Sequence, residues 1–251
     1  MSLGEMNVAK LEVVNVSKTL EGLHTLDNIS LKLREQEFAV ILGPSGCGKS
    51  TLLNIIAGLL KPDQGCVRID GEDWSGRTAR VSYMQQKDLL LPWKNILDNV
   101  SIPLLLKGFK KNQARDTAWN YLQDFGLQDF AAYYPRQLSG GMKQRAALLR
   151  TYLFASDILL LDEPFAALDA ITRHKMQVWL KDLRRRYQPS ILFVTHDISE
   201  ALQLADRIYV LSARPAGVKL EIDLAAFSNR DAKEQLQERI LTLLEEEAGI
   251  R

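Results

Sequence analysis

The segment Gly43-Pro44-Ser45-Gly46-Cys47-Gly48-Lys49-Ser50-Thr51 constrains this chain more than any other feature. It fits G-x4-G-K-[ST], a phosphate-binding loop. Glycines let backbone N–H groups curl around phosphate oxygens with no Cβ in the way. A helix that starts after the loop points its positive end at the same anion. Lys49 adds a mobile charge for the outer phosphates, and the Ser50 hydroxyl is a hard oxygen ligand suited to Mg²⁺. The bland alternative is a glycine-rich turn with an incidental lysine. The flanks weigh against it. Phe38-Ala39-Val40-Ile41-Leu42 is continuously apolar, as a strand buried on both faces of a parallel sheet is. Residues 52–60 then read as a helix stopped by Lys61-Pro62. The motif in this setting predicts nucleotide binding.

A second element lies farther along, where Ile158-Leu159-Leu160-Leu161 runs directly into Asp162-Glu163. An apolar run followed by two acids describes a buried strand that delivers carboxylates at its carboxyl end, where α/β sheets bind ligands. One acid beside Mg²⁺ and a second placed to activate water are parts of a phosphoanhydride hydrolase. Alone, the pair reads as a strand ending in a solvated acidic turn. Beside the phosphate loop, the hydrolytic reading is preferred.

The remaining pattern is an α/β core interrupted by helices. Residues 11–16 and 29–33 read as strands, the second alternating apolar and polar. Residues 67–69 and 81–84 flank the turn signal Asp70-Gly71 and read as further strands. From about 88 to 157 the strand signal fades, and residues 112–125 and 142–154 read as helices. A helix over 171–187 separates the strand at 158–161 from another at 191–194. Leu236, Ile240, Leu243 and Leu244 recur at helical spacing, so a helical tail is expected over about 231–248.

Composition narrows the function classes. Among 251 residues, 32 Lys+Arg against 31 Asp+Glu leave a formal charge of +1, which disfavours a broadly basic nucleic-acid-binding body. The run Arg184-Arg185-Arg186 reads as a solvated helix end. Cys47, Cys66 and three histidines offer neither a disulfide framework nor a zinc spacing. No apolar run approaches the roughly 18–20 residues that span a bilayer, so membrane association is expected through a partner.

Leu138-Ser139-Gly140-Gly141-Met142-Lys143-Gln144-Arg145 alone is a helix N-cap with a flexible turn. Beside the other two motifs it resembles the signature of the ATP-binding-cassette ATPases. The resemblance covers residues from about 10 to 215, with the motifs in order. It implies a P-loop NTPase (RecA-like) core with an antiparallel β subdomain and an inserted α-helical subdomain. One such domain is expected over 1–251, with the insertion at about 88–157. By the same resemblance, Gln86 matches the glutamine that reaches the metal and the attacking water, with Gln85 as its rival. Asp162 supports Mg²⁺ with Ser50, Glu163 is the general base, and His196 senses the γ-phosphate. Phe165-Ala166-Ala167-Leu168-Asp169 resembles the loop that crosses to a partner subunit. In the family two cassettes face head to tail, each ATP lying between one phosphate loop and the opposite Ser139-Gly140-Gly141. The implied partners are a second copy, an integral-membrane permease and, indirectly, a solute-binding protein. The implied location is peripheral, at the cytoplasmic face of the cell membrane.

Leu89-Leu90-Leu91-Pro92-Trp93 and Ser212-Ala213-Arg214-Pro215 look like the nitrate/sulfonate/taurine importer group, some relatives of which carry thiamine-pyrimidine precursors. Trp93 beside leucines equally reads as a core anchor. Leu20 stands where the family usually offers an aromatic ring to adenine, which puts base recognition in doubt. The competing classes are a soluble non-transport cassette ATPase, a P-loop GTPase or kinase, and a catalytically dead binding module. No [NT]-K-x-D motif for guanine is present.

Overall fold

The computed structural model describes residues 9–154, 156–166, 168–227 and 230–247. Two long strands, β1 (Ala9–Leu20) and β2 (Leu23–Arg34), pair antiparallel through a tight turn at Glu21-Gly22. Next come β3 (Phe38–Leu42), α1 (Lys49–Ile56), β4 (Gln64–Ile69), β5 (Glu72–Asp73) and β6 (Ser82–Met84). Three helices follow: α2 (Ile96–Leu106), α3 (Lys111–Leu122) and α4 (Gly140–Leu153). Then β7 (Ile158–Asp162), α5 (Ala170–Tyr187), β8 (Ser190–Thr195), α6 (Ile198–Leu204), β9 (Arg207–Leu211), β10 (Val218–Asp223) and α7 (Arg230–Glu247) complete the order.

The strands form two sheets. One is antiparallel, in the order β2-β1-β4-β5; the other runs β10-β9-β3-β8-β7-β6, parallel except for β10. Every residue of β3, β7, β8 and β9 is buried. Alternation explains why these strands are apolar throughout. Ala39 and Ile41 face α1 and the antiparallel sheet, while Phe38, Val40 and Leu42 face the helices on the other side. This is the α/β, P-loop NTPase arrangement with an antiparallel sheet and a helical stretch between β6 and β7.

Three local expectations need correction. Asp70-Gly71 turns β4 into the short β5, while β6 belongs to the other sheet. The helix after the phosphate loop stops at Ile56 rather than near Leu60. Gly58 ends it, with φ +75° and its Cα so close to Arg77 that a Cβ would lie 2.0 Å from the Arg77 carbonyl oxygen. Helix α2 has no counterpart in the sequence reading. It contains Pro103 and buries Asn99 and Ser101, which blurs its apolar period. Asn99 Oδ1 accepts the Leu91 N–H at 2.7 Å and its amide donates to Lys94 O at 2.9 Å, so α2 holds the preceding loop. Trp93 in that loop is 70% exposed and anchors no core. Residues 1–8, Ala167 and the last residue of the expected tail, Ala248, lie outside the described residues.

Candidate functional site

The phosphate loop joins β3 to α1, so it emerges at the carboxyl end of a buried strand. Glycines are required here by geometry. Gly48 has φ +128°, and a Cβ there would approach Leu26 Cδ2 to 2.8 Å. Lys49 is 5% exposed, and its ammonium donates to the carbonyls of Gly43 and Pro44 at 2.8 Å each. Two of its three N–H bonds thus brace the loop and the third is left for an anion. Cys47 is buried against Gly43, and that burial pushes its thiol up, so it packs as a small apolar group.

A cleft of about 500 Å³ opens beside the loop. Ser45, Gly46, Gly48, Lys49, Ser50 and Thr51 line it, and Gln86 and Glu163 join them from the ends of β6 and β7. Glu163 sits just past β7 in the left-handed region, φ +45°, a conformation costing a non-glycine residue about 1–2 kcal/mol. Its N–H donates to Val194 O at 3.0 Å, which fixes its main chain between neighbouring strand ends. The Gln86 amide donates to Glu163 Oε2 at 3.3 Å, and His196 Nδ1 lies 3.5 Å from the same oxygen. Of the two adjacent glutamines, the one whose amide reaches Glu163 is Gln86.

Asp162 ends β7 and is 3% exposed. Burial pushes its carboxyl up; the Ser50 hydroxyl opposes that, Glu163 adds to it, and Tyr83 opposes it again. Tyr83 donates to Oδ2 at 3.4 Å, while Oδ1 is buried with no hydrogen-bond partner. A buried, orphaned carboxylate oxygen with a serine hydroxyl beside it fits Mg²⁺, which takes one or two protein oxygens plus phosphates.

Ser139, Gly140, Gly141 and Asp169 do not line this cleft. Ser139 caps α4 by accepting the Met142 N–H at 3.3 Å, and Asp169 caps α5 through Ile171 and Thr172. Those contacts, the Thr172 N–H foremost, hold the Asp169 carboxyl below its usual range. A Cβ on Gly141 would come within 2.6 Å of Thr172 Cγ2, so that glycine lets the starts of α4 and α5 meet. The structure therefore places these four at a second surface, at two helix N-termini, while His196 lines a small pocket that adjoins the cleft through Glu163.

Sequence reasoning left several lining residues out of the site: Glu21, Leu23, Thr25 and Arg214. Tyr83 was missed too, although its place on the strand leading to Gln86 was a usable signal. Arg214 stands 168 residues from Gly46, yet donates to its carbonyl, and no local pattern announces that.

The chain is similar to known proteins in sequence and fold. The family model described as "ABC transporter" matches residues 26–166. The taurine import ATP-binding protein TauB of Pseudomonas aeruginosa is 46% identical over 202 residues, 80% of this chain and 77% of that protein. The nitrate import ATP-binding protein NrtD of Synechocystis is 41% identical over 218 residues, 85% of this chain and 82% of that protein. The dimeric structure of MJ0796, a bacterial ABC transporter cassette, matches with a TM-score of 0.77 at 34% identity, covering 85% of this chain and 98% of that one. MJ0796 is also known as a dimer in a post-hydrolysis state bound to ADP and Pi. The chain belongs to the ABC transporter family, and it is an ATP-hydrolysing cassette of that family.

Proposed function

We propose that this chain is the ATP-hydrolysing subunit of an importer, driving a small solute through a separate permease. The observation that carries the catalytic reading is that Glu163, which lines the phosphate-loop cleft, has both Gln86 and, from the pocket next to the cleft, His196 at its carboxylate. The loop amides and Lys49 bind the phosphates. Glu163 is the general base that accepts a proton from water, its main chain tied to Val194 and its carboxylate accepting from the Gln86 amide. Gln86 orients that water through its amide, and His196 faces the γ-phosphate. Ser50, Asp162 and Gln86 would hold Mg²⁺, which when bound neutralises charge on the phosphate oxygens.

Ser139, Gly140, Gly141 and Asp169 belong on this reading to a head-to-tail homodimer, where they meet the ATP held by the other copy. That assignment accounts for a capped, glycine-lined surface outside its own chain's cleft. The helical stretch between β6 and β7 docks the permease. It exposes Trp93 at 70%, Leu106 at 78% and Phe109 at 45%, an apolar surface of the kind that marks protein contacts. Among the described residues no helix is long and apolar enough to cross a membrane. On this reading the permease holds the chain peripherally at the cytoplasmic face of the membrane. The transported solute is taurine-, sulfonate- or nitrate-like, or a thiamine-pyrimidine precursor, delivered by a solute-binding protein.

The test is co-purification from detergent extract followed by ATPase assay. A polytopic membrane protein should be recovered, and it should raise Mg²⁺-dependent hydrolysis. Recovery of ribosomes or nucleic acid in its place would remove the importer assignment.

A further inference from the structure

The role of Arg214 is not explained by any motif of the cleft. Its Nη2 donates to the Gly46 carbonyl and its side chain lines the cleft. The loop that carries it is tied down from three directions. The Ser212 hydroxyl donates to Pro215 O at 3.3 Å and accepts the Gly217 N–H at 2.8 Å. The Ala213 N–H donates to Glu247 Oε2 of α7 at 2.8 Å. Ala216 N–H donates to Thr25 O and Ala216 O accepts from Asp27 N, both at 2.9 Å, so the loop is joined to β2. An exposed arginine on so fixed a loop has its direction set by the fold.

The rest of the cleft offers a base no flat surface. A nucleotide with its phosphates on the loop and the outermost one toward Asp162 and Glu163 would run its remainder past Gly46. There it meets the wall built by the antiparallel sheet, namely Leu20, Leu23 and Thr25. No aromatic ring lines the cleft among the described residues. His24 lies apart from it, with Nε2 3.8 Å from Asp27 Oδ1. A guanidinium is planar and weakly hydrated on its faces, and it stacks well on aromatic rings and bases. We propose that Arg214 is the platform for the purine base: its hold on the Gly46 carbonyl sets the guanidinium plane beside the phosphate loop, and the base packs on that plane. This rests on reading the cleft as the nucleotide site.

Calorimetric titration of the full chain with ATP, CTP and inorganic tripolyphosphate, each with Mg²⁺, separates base from phosphate. Arg214→Ala should weaken ATP about two- to fivefold, narrow the preference for ATP over CTP, and leave tripolyphosphate unchanged. Arg214→Lys keeps the charge and loses the plane, so it should not restore ATP binding. Equal losses for ATP and tripolyphosphate, or full rescue by lysine, would overturn the platform and make the residue a phosphate contact. Lys49→Ala serves as the control for the cleft. If it loses both ligands while Arg214→Ala binds ATP as wild type does, the platform falls and the nucleotide site stands. If Lys49→Ala binds as wild type does, the reading of the cleft itself falls.

Discussion

The two walls of the cleft are built on opposite principles. On the parallel-sheet side, Asp162 and Glu163 leave a fully buried strand, and a backbone bond to the next strand locks Glu163 in a left-handed conformation. On the antiparallel-sheet side, Leu20 and Leu23 flank a two-residue turn, and Leu23 is 50% exposed. Misplacing a reacting group by an ångström can cost about 10²-fold in rate, and the groups proposed for the chemistry leave strands that are buried along their whole length. Packing of a base depends on area and tolerates many side chains. The difference is consistent with a chemical wall that carries every expected group beside one that carries no ring among the described lining residues.

Glu163→Gln tests the chemical wall and carries the largest expected effect. Removing a positioned base typically lowers the rate by 10²–10⁴, while ATP binding should be retained because glutamine keeps the size and sheds the charge. Bound ATP should then hold two chains together, read by light scattering as a doubled mass that appears only with ATP and Mg²⁺. Adding Ser139→Arg should return the monomer mass without abolishing ATP binding. Hydrolysis by Glu163→Gln at the wild-type rate would shift the base role to His196. A monomer with ATP bound would mean that the permease supplies the alignment.

Asp162→Asn has a smaller and opposite consequence for stability. The buried Oδ1 has no partner, and burial disfavours the charge, so the fold bears a cost that Mg²⁺ removes. The asparagine variant without metal should melt higher than wild type, by about 2–4 °C for each ~1 kcal/mol relieved. It should also lose the further gain that wild type shows on adding Mg²⁺ with ATP. A lower melting point without metal would mean that the carboxylate serves the fold, chiefly through Ser50 and Tyr83.

The chemical wall was legible in the sequence because it stands on strands buried along their whole length. Strands buried on both faces write themselves as Phe38-Ala39-Val40-Ile41-Leu42 and Ile158-Leu159-Leu160-Leu161, and their ends carry the functional groups without a gap. Strand β9 was equally buried but escaped because Arg207 and Tyr209 interrupt its apolar run. Both are buried with partners, Arg207 against Glu37 and Tyr209 with its hydroxyl on Lys32 O. Helix α2 escaped for a related reason, since Asn99 and Ser101 are satisfied inside it. The other wall was only half legible. Leu20 could be placed by its distance from the loop, but Arg214 reaches Gly46 through tertiary structure alone.

Leu20→Tyr would make the two walls more alike, and its expected effect is the smallest. A ring at residue 20 gives the base a second face, and aromatic packing adds about 0.5–1.5 kcal/mol beyond area burial, a severalfold gain in ATP affinity. Leu20 is only partly buried at the edge of the turn, so a tyrosine can be accommodated without opening the core. The informative measurement is the cycle of Leu20→Tyr, Arg214→Ala and the double variant, titrated with ATP. If both side chains sandwich one base, the tyrosine should gain more affinity when Arg214 is present than when it is absent, because the arginine holds the base in the plane the ring needs. Strict additivity would place the two residues on separate parts of the nucleotide. Equal or weaker binding by the tyrosine variant alone would show that the base does not lie against residue 20.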